Sequence, residues 1–156
     1  MNDKTDLTPQ HVAERASAGM YELDHTAQHL DIRLQEIGPG RARMTMRVSE
    51  PMVNGLGLCH GGYIFTLADT AMAYASNSYN RVAVAHTASI TFTASGRAGE
   101  LLTAIAEERH RKGRSGIYDV TVSGEDGRTV ALFHGITQTT KGEIVPGLDA
   151  GDGGTE

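Results

Sequence analysis

The stretch Asn54-Gly-Leu-Gly-Leu-Cys59-His60-Gly61-Gly62-Tyr63-Ile64-Phe65-Thr66-Leu67-Ala68-Asp69-Thr70-Ala71-Met72 decides how the rest of the chain is read. It opens as a glycine-rich loop. From Gly61 or Gly62 it becomes a helix, because apolar residues recur at Ile64, Leu67, Ala68, Ala71, Met72 and Ala75. That is the spacing of one buried helical face. Half of those positions are alanines, so the covering layer comes close, as a curved sheet would. The helix entry presents free backbone N–H groups at the positive end of the helix dipole. Such an end can hold an anion, or an oxygen that becomes anionic during a reaction.

Asp69 lies about 120° around the helix from the middle of that stripe, at 100° per residue. Its neighbours one turn away are Phe65 and Ala73, not the Lys, Glu or Gln of a flank that meets only water. The flank is therefore expected to pack against something, a second subunit being the simplest candidate. Gly61 and Asp69 are eight residues apart, about 12 Å along a helix. One reacting carbonyl cannot lie within about 3 Å of both groups on one helix. If both act on it, they come from two chains related by a two-fold axis, which gives two composite sites per dimer.

The chain has 156 residues, enough for one domain with a core, and a net charge of −5. That charge argues against broad nucleic-acid binding. The single cysteine, Cys59, excludes an internal disulfide framework and suits a reducing compartment. The apolar runs are too short for a membrane span, and the first residues do not read as a signal peptide. A cytoplasmic protein is expected.

Outward from the central stretch, Thr8-Pro9 reads as a cap and first turn of a helix reaching about Gly19. Met20 to Gln28 reads as a connector with room for one more helical turn. Asp24, His25 and His29 have a spacing that could suit a metal, but surface and capping roles fit better, and no metal site is expected. Leu30, Ile32 and Leu34 alternate as a strand, Gly38-Pro39-Gly40 turns the chain, and Ala42, Met44, Met46 and Val48 alternate in the partner. After the central helix, Val82 to Ala94 alternates over a long strand. It places His86 on the apolar face, where a structural histidine is expected. Strands follow from Leu102 to about Arg111, around Tyr118 to Val122 and around Val130 to Ile136, with Glu125-Asp126-Gly127 as a hairpin turn. The plan is an α+β domain over residues 29–141. A helical segment, 1–28, precedes it, and a Gly- and Asp-rich tail, 142–156, is expected to be disordered.

The run Asn54-Gly-x-Gly-x-x-His60-Gly61-Gly62, followed by Leu67-Ala68-Asp69-Thr70-Ala71, resembles the hotdog-fold acyl-CoA thioesterases, and among them the phenylacetic acid degradation group. The likeness extends to Ile37-Gly38-Pro39-Gly40, Asn77-Ser78, Ile90-Thr91-Phe92 and Asp126 to Ala131, and covers roughly residues 20–140. It implies a curved antiparallel sheet wrapped around one long helix. It also implies hydrolysis of acyl-CoA thioesters, with aryl-acyl or hydroxylated phenylacetyl-CoA as the expected substrates in aromatic acid catabolism. Asp69 matches the family's catalytic carboxylate, and Gly61 the residue whose amide polarises the thioester oxygen. Asn54 matches a polar residue that orients water or substrate, and His60 a supporting histidine at the helix entry. The resemblance places the carboxylate and the amide on opposite subunits, of a homodimer that commonly pairs into a homotetramer. Some relatives carry Thr one turn after the carboxylate; this chain has Ala73.

No cofactor is expected beyond the coenzyme A of the substrate. Arg109, Arg111, Lys112 and Arg114 cluster at a strand end, and Arg111 and Arg114 are candidates to receive its phosphates. Tyr63, Phe65 and Tyr74 could line an acyl pocket, although plain packing is the simpler use. A Cys59–His60 nucleophile pair is disfavoured because adjacent residues rarely aim both side chains at one atom. A non-catalytic acyl-CoA-binding sensor is the alternative, since it would need the fold and the basic turn but not Asp69.

Overall fold

A computed structural model of the protein describes residues 7–148. The elements in chain order are α1 (Pro9–Leu23), α2 (His25–His29), β1 (Arg33–Gly38), β2 (Arg41–Arg47), α3 (Gly61–Asn77), β3 (Arg81–Phe92), β4 (Leu101–Lys112), β5 (Ser115–Ser123) and β6 (Thr129–Glu143). The strands form one antiparallel sheet in the order β1-β2-β4-β5-β6-β3. The sheet curls around α3, which packs on all six strands. This is the hotdog arrangement. The stripe Ile64, Leu67, Ala68, Ala71, Met72 and Ala75 is buried throughout. It faces Ala42, Met44 and Met46 of β2 and Ala104 and Ala106 of β4, all at 0% exposure. Small residues on both sides let helix and sheet approach closely.

The N-terminal segment packs on the same body. Ala27 is part of the core, Met20 and Tyr21 pack against it, Val12, Ala13 and Ala16 of α1 are buried, and Gln10 Nε2 donates to Ile37 O at 2.8 Å. Helix α1 runs past Gly19 to Leu23, so its expected end is corrected by four residues. Gly19 is accommodated because Val145 crosses it: a β-carbon there would stand 2.9 Å from Val145 Cγ2. Asp24 caps α2 through Ala27 N at 2.9 Å, and its other oxygen accepts the Tyr74 hydroxyl at 3.2 Å. The expected strand at Leu30 starts at Arg33 instead. Asp31 takes a left-handed φ of 52° and breaks the extended path.

Two further expectations are corrected. His86 is exposed, not a core histidine. Strand β3 is an edge strand hydrogen-bonded only to β6, and Ala83 is its one buried residue. Its alternation marks a face that nothing in the single chain covers. The other edge, β1, is shielded by α1 and interrupted by a register shift between Leu34 and Glu36. The tail expected to be disordered from residue 142 is ordered as far as it is described. Asn80, at φ 60°, donates to Val145 O at 3.0 Å and Leu148 O at 2.9 Å, and accepts Val145 N–H at 2.8 Å. Leu148 is buried. The rest of that tail lies outside the described residues.

Candidate active site

The loop before α3 is closed by its own asparagine. Asn54 Oδ1 accepts Leu56 N–H at 2.9 Å and Leu58 N–H at 3.2 Å, and Asn54 N donates to Leu58 O at 2.8 Å. Gly57 makes the turn possible at φ 77°. The loop is also held from both sides: Cys59 N donates to Gly96 O at 2.9 Å, and His60 N to Met52 O at 2.8 Å. Asn54 thus has a structural task through its carbonyl oxygen, and only its amide nitrogen is left to meet water or substrate.

His60 is the N-cap of α3, in extended backbone at φ −61° and ψ 133°. Its Nδ1 accepts Gly62 N–H at 2.9 Å, which places the imidazole proton on Nε2. The cap satisfies Gly62 and leaves Gly61 N–H without a partner among the described residues. Gly61 is the first residue of α3, where backbone donors point outward along the helix axis. The Phe92 ring lies over its α-carbon, so a β-carbon at Gly61 would stand 2.9 Å from Phe92 Cζ.

Asp69 is half-buried on the flank of α3 and makes no hydrogen bond or ion pair to any described residue. Burial alone pushes its carboxyl above the usual carboxylate range. It borders a cavity of about 340 Å³ walled by Met20, Met72, Ala73, Val84, Ala85 and Thr137. The position one turn on, Ala73, contributes space and no hydroxyl. A half-buried acid with no charge partner, facing an open cavity, is the kind of group that reaction sites contain.

The other candidates fall elsewhere. Tyr74 is fully buried and bonded to Asp24, and Phe65 packs edge-on against Phe133 with ring centroids 5.3 Å apart. Tyr63 stands edge-on to His60. None of the three borders the Asp69 cavity. Cys59 is buried, its thiol is pushed up to about 11 by burial, and His60 Nδ1 is turned to Gly62, so the two form no nucleophile–base pair. The basic cluster is dispersed. Arg109 pairs with Asp119 at 3.4 Å. Arg111 lies over the Tyr79 ring, 3.8 Å from its centroid, and near Glu108. Arg114 donates to Thr139 O at 2.9 Å. Arg111 borders a second cavity of about 240 Å³ that shares Ser76, Ala83 and Thr137 with the Asp69 cavity.

Two features escaped the sequence reading. One is Phe92 across Gly61. The other is the ion pair of Arg128 and Glu100 behind the entry loop. Arg128 donates to both Glu100 oxygens and to Ser95 O, while Arg97 N–H and Glu125 N–H also reach Glu100. These bonds hold the Ser95–Gly99 segment on which Cys59 rests.

The geometry has counterparts among known proteins. Residues 56–131 match the thioesterase superfamily model. Acyl-coenzyme A thioesterase PaaI of Escherichia coli is 42% identical over 134 residues, which are 86% of this chain and 96% of the relative. The solved structure of the E. coli PaaI protein from the phenylacetic acid degradation operon aligns with a TM-score of 0.86 at 41% identity, over 87% of this chain and 99% of that one. A Streptococcus mutans protein solved bound to acetyl-CoA aligns at 0.69 with 28% identity, over 72% of this chain and 90% of the other. With a relative of that similarity over nearly its whole length, and a hotdog sheet around a helix that carries an unpaired acid and a free entry amide, the chain belongs to the thioesterase superfamily and is a thioester hydrolase.

Proposed function

We propose that this protein hydrolyses acyl-CoA thioesters with aryl-acyl groups, hydroxylated phenylacetyl-CoA among them, in the breakdown of aromatic acids. The likeness to PaaI supports the acyl-CoA class and the phenylacetate setting. The observation that carries the reading is Asp69, an acid held half-buried without a partner beside a cavity of acyl-group size.

The chemistry is assigned to two copies of the chain. The thioester oxygen takes the Gly61 N–H of one copy, which stabilises the negative charge that develops there. Asp69 of the other copy either attacks the carbonyl carbon or removes a proton from the attacking water. The carbon–sulfur bond breaks, the water's OH ends on the acyl carbon, directly or by opening the acyl–Asp69 anhydride, and its other proton goes to the departing sulfur, so that coenzyme A leaves as the thiol. The bare edge of β3, with Val84 and Phe92 each 50% exposed, is the surface through which two copies would meet. Pairing of such dimers into a homotetramer belongs to the same proposal. Arg111 and Arg114 remain the candidates for the phosphates of coenzyme A, at the rim of the second cavity and beside it.

A non-catalytic sensor would gain nothing from an unpaired acid on its ligand cavity, so hydrolysis is the better reading. The test is thiol release from a panel of acyl-CoAs by wild type and Asp69→Asn. Release by wild type and its loss in the variant are expected. Tight binding of acyl-CoA without release would favour the sensor.

A further inference from the structure

We infer that Phe92 is a positioning residue for the reaction: its ring closes one side of the helix entry to water, so that the Gly61 N–H is held for the thioester oxygen. This rests on the acyl-CoA hydrolase reading above, with Gly61 as the donor.

The ring stands where it does little for the core. Phe92 is the last residue of β3 and is half exposed. Ile90, two residues back on the same face of the strand, packs against the core around α3, whereas Phe92 lies outside it. Its outer ring carbons Cζ, Cε1 and Cε2 are instead the nearest atoms that a β-carbon on Gly61 would meet, at 2.9, 3.2 and 3.4 Å. Alanine is the better helix former, but its β-carbon would take the space of the ring tip. The pair Gly61 and Phe92 therefore brings an apolar edge against the helix entry that a side chain at 61 would hold off.

The strand end that carries the ring is anchored. Phe92 lies opposite Ala131 of β6. The next two N–H groups, of Thr93 and Ala94, both donate to Val130 O at 2.9 and 3.2 Å, and Thr93 Oγ1 donates to Thr129 O at 2.8 Å. The His60 cap engages the Gly62 N–H and leaves that of Gly61 to point outward. A donor open to water on every side exchanges one hydrogen bond for another when an oxyanion forms, and the net gain is small. A donor with an apolar wall beside it has less water to give up and less dielectric screening, so it is worth more to the developing charge. Phe92 supplies that wall.

The experiment measures steady-state thiol release from phenylacetyl-CoA by wild type, Phe92→Met and Phe92→Gln. The two replacements are alike in length and differ in polarity. Phe92→Met should keep most of kcat. Phe92→Gln should fall about tenfold in kcat, part of what loss of the whole donor costs, with KM changed by less than about threefold. Mixed dimers separate this role from support of the fold. When Asp69→Ala and Gly61→Pro chains pair, the one site with both native groups takes its amide from the Asp69→Ala chain. Phe92→Gln added to that chain should lower the regained activity about tenfold, and added to the Gly61→Pro chain by less than about twofold. Equal kcat in Phe92→Met and Phe92→Gln overturns the inference, because polarity at the entry would then not matter. A loss carried by KM alone, or equal losses in the two mixed arms, also overturns it, since the ring would be a substrate contact or a prop for the fold. Mixed dimers without activity in any arm overturn the two-chain assignment, and kcat and KM of the single variants then decide. No thiol release by wild type from any acyl-CoA overturns the hydrolase reading itself.

Discussion

The Phe92 ring lies across the α-carbon of Gly61 so closely that a β-carbon would stand 2.9 Å from its tip. Strand β3 and the mouth of α3 are thereby in contact at the one backbone donor left unbonded. The close contact is with Cζ, the far end of a side chain and not backbone, so Gly61→Ala is expected to fold and keep its N–H. Proline is tolerated at the first helical position, and His60 already has the extended backbone that a residue before proline needs. Gly61→Pro therefore removes the donor and little else. Steady-state thiol release should show kcat down by about 10²–10³-fold in Gly61→Pro and much less in Gly61→Ala, with similar melting temperatures.

Asp69→Asn separates activity from stability. Burial raises the folded carboxyl pKa, so over the window above the ordinary carboxylate range the folded chain holds more protons than the unfolded one. The sign follows: stability is greatest below that range and is lost as pH rises through the raised value. At neutral pH the ionised acid is a cost, and Asp69→Asn should melt higher than wild type while losing activity. In wild type, kcat/KM should rise with pH on an acid limb displaced upward from an ordinary carboxylate. Thermal melts and a pH–rate profile check both.

Shared sites can be reconstituted. Asp69→Ala and Gly61→Pro, each inactive alone, should regain activity after unfolding and refolding together, because a mixed dimer holds one site with both native groups. The regain should approach a quarter of wild type, about half the molecules carrying one intact site of two. Verified mixed dimers with no activity would remove the two-chain assignment.

The Arg128–Glu100 pair should carry much of the entry loop's stability. Glu100 is 8% exposed, and the Arg128 guanidinium with the backbone N–H groups of Arg97 and Glu125 holds its carboxyl below the usual range. Such a group stabilises the fold above the ordinary carboxylate pKa, and that stability is lost as pH falls through the depressed folded value. Glu100→Gln leaves Asp126 as the guanidinium's one remaining charge partner among the described residues and should lower the urea midpoint at neutral pH. The deficit should shrink in acid.

The central helix was legible because its stripe obeys a single period, and the period is enforced by one continuous buried face. The entry loop was legible because glycines and a capping histidine have few other uses together. Strand β3 misled at His86, since alternation records that one face will be covered and not by which chain. The cavity beside Asp69 was hidden for a different reason. Its lining residues Val84, Ala85 and Thr137 come from β3 and β6, and only the register of the sheet brings them together. The tail misled because its Gly and Asp content outweighed Ile144, Val145 and Leu148, whose anchor, Asn80, is more than sixty residues away in the sequence.

The two borders of the sheet are unlike. The β1 border is covered by α1, broken by a register shift and lined with Arg33, Gln35 and Glu36. The β3 border is long and bare. A molecule with one open and one blunted margin can be lengthened by strand addition only once, since two copies joined margin to margin offer nothing further to join. The same asymmetry that invites a partner would halt growth after it, and so guards the protein against running on into fibres.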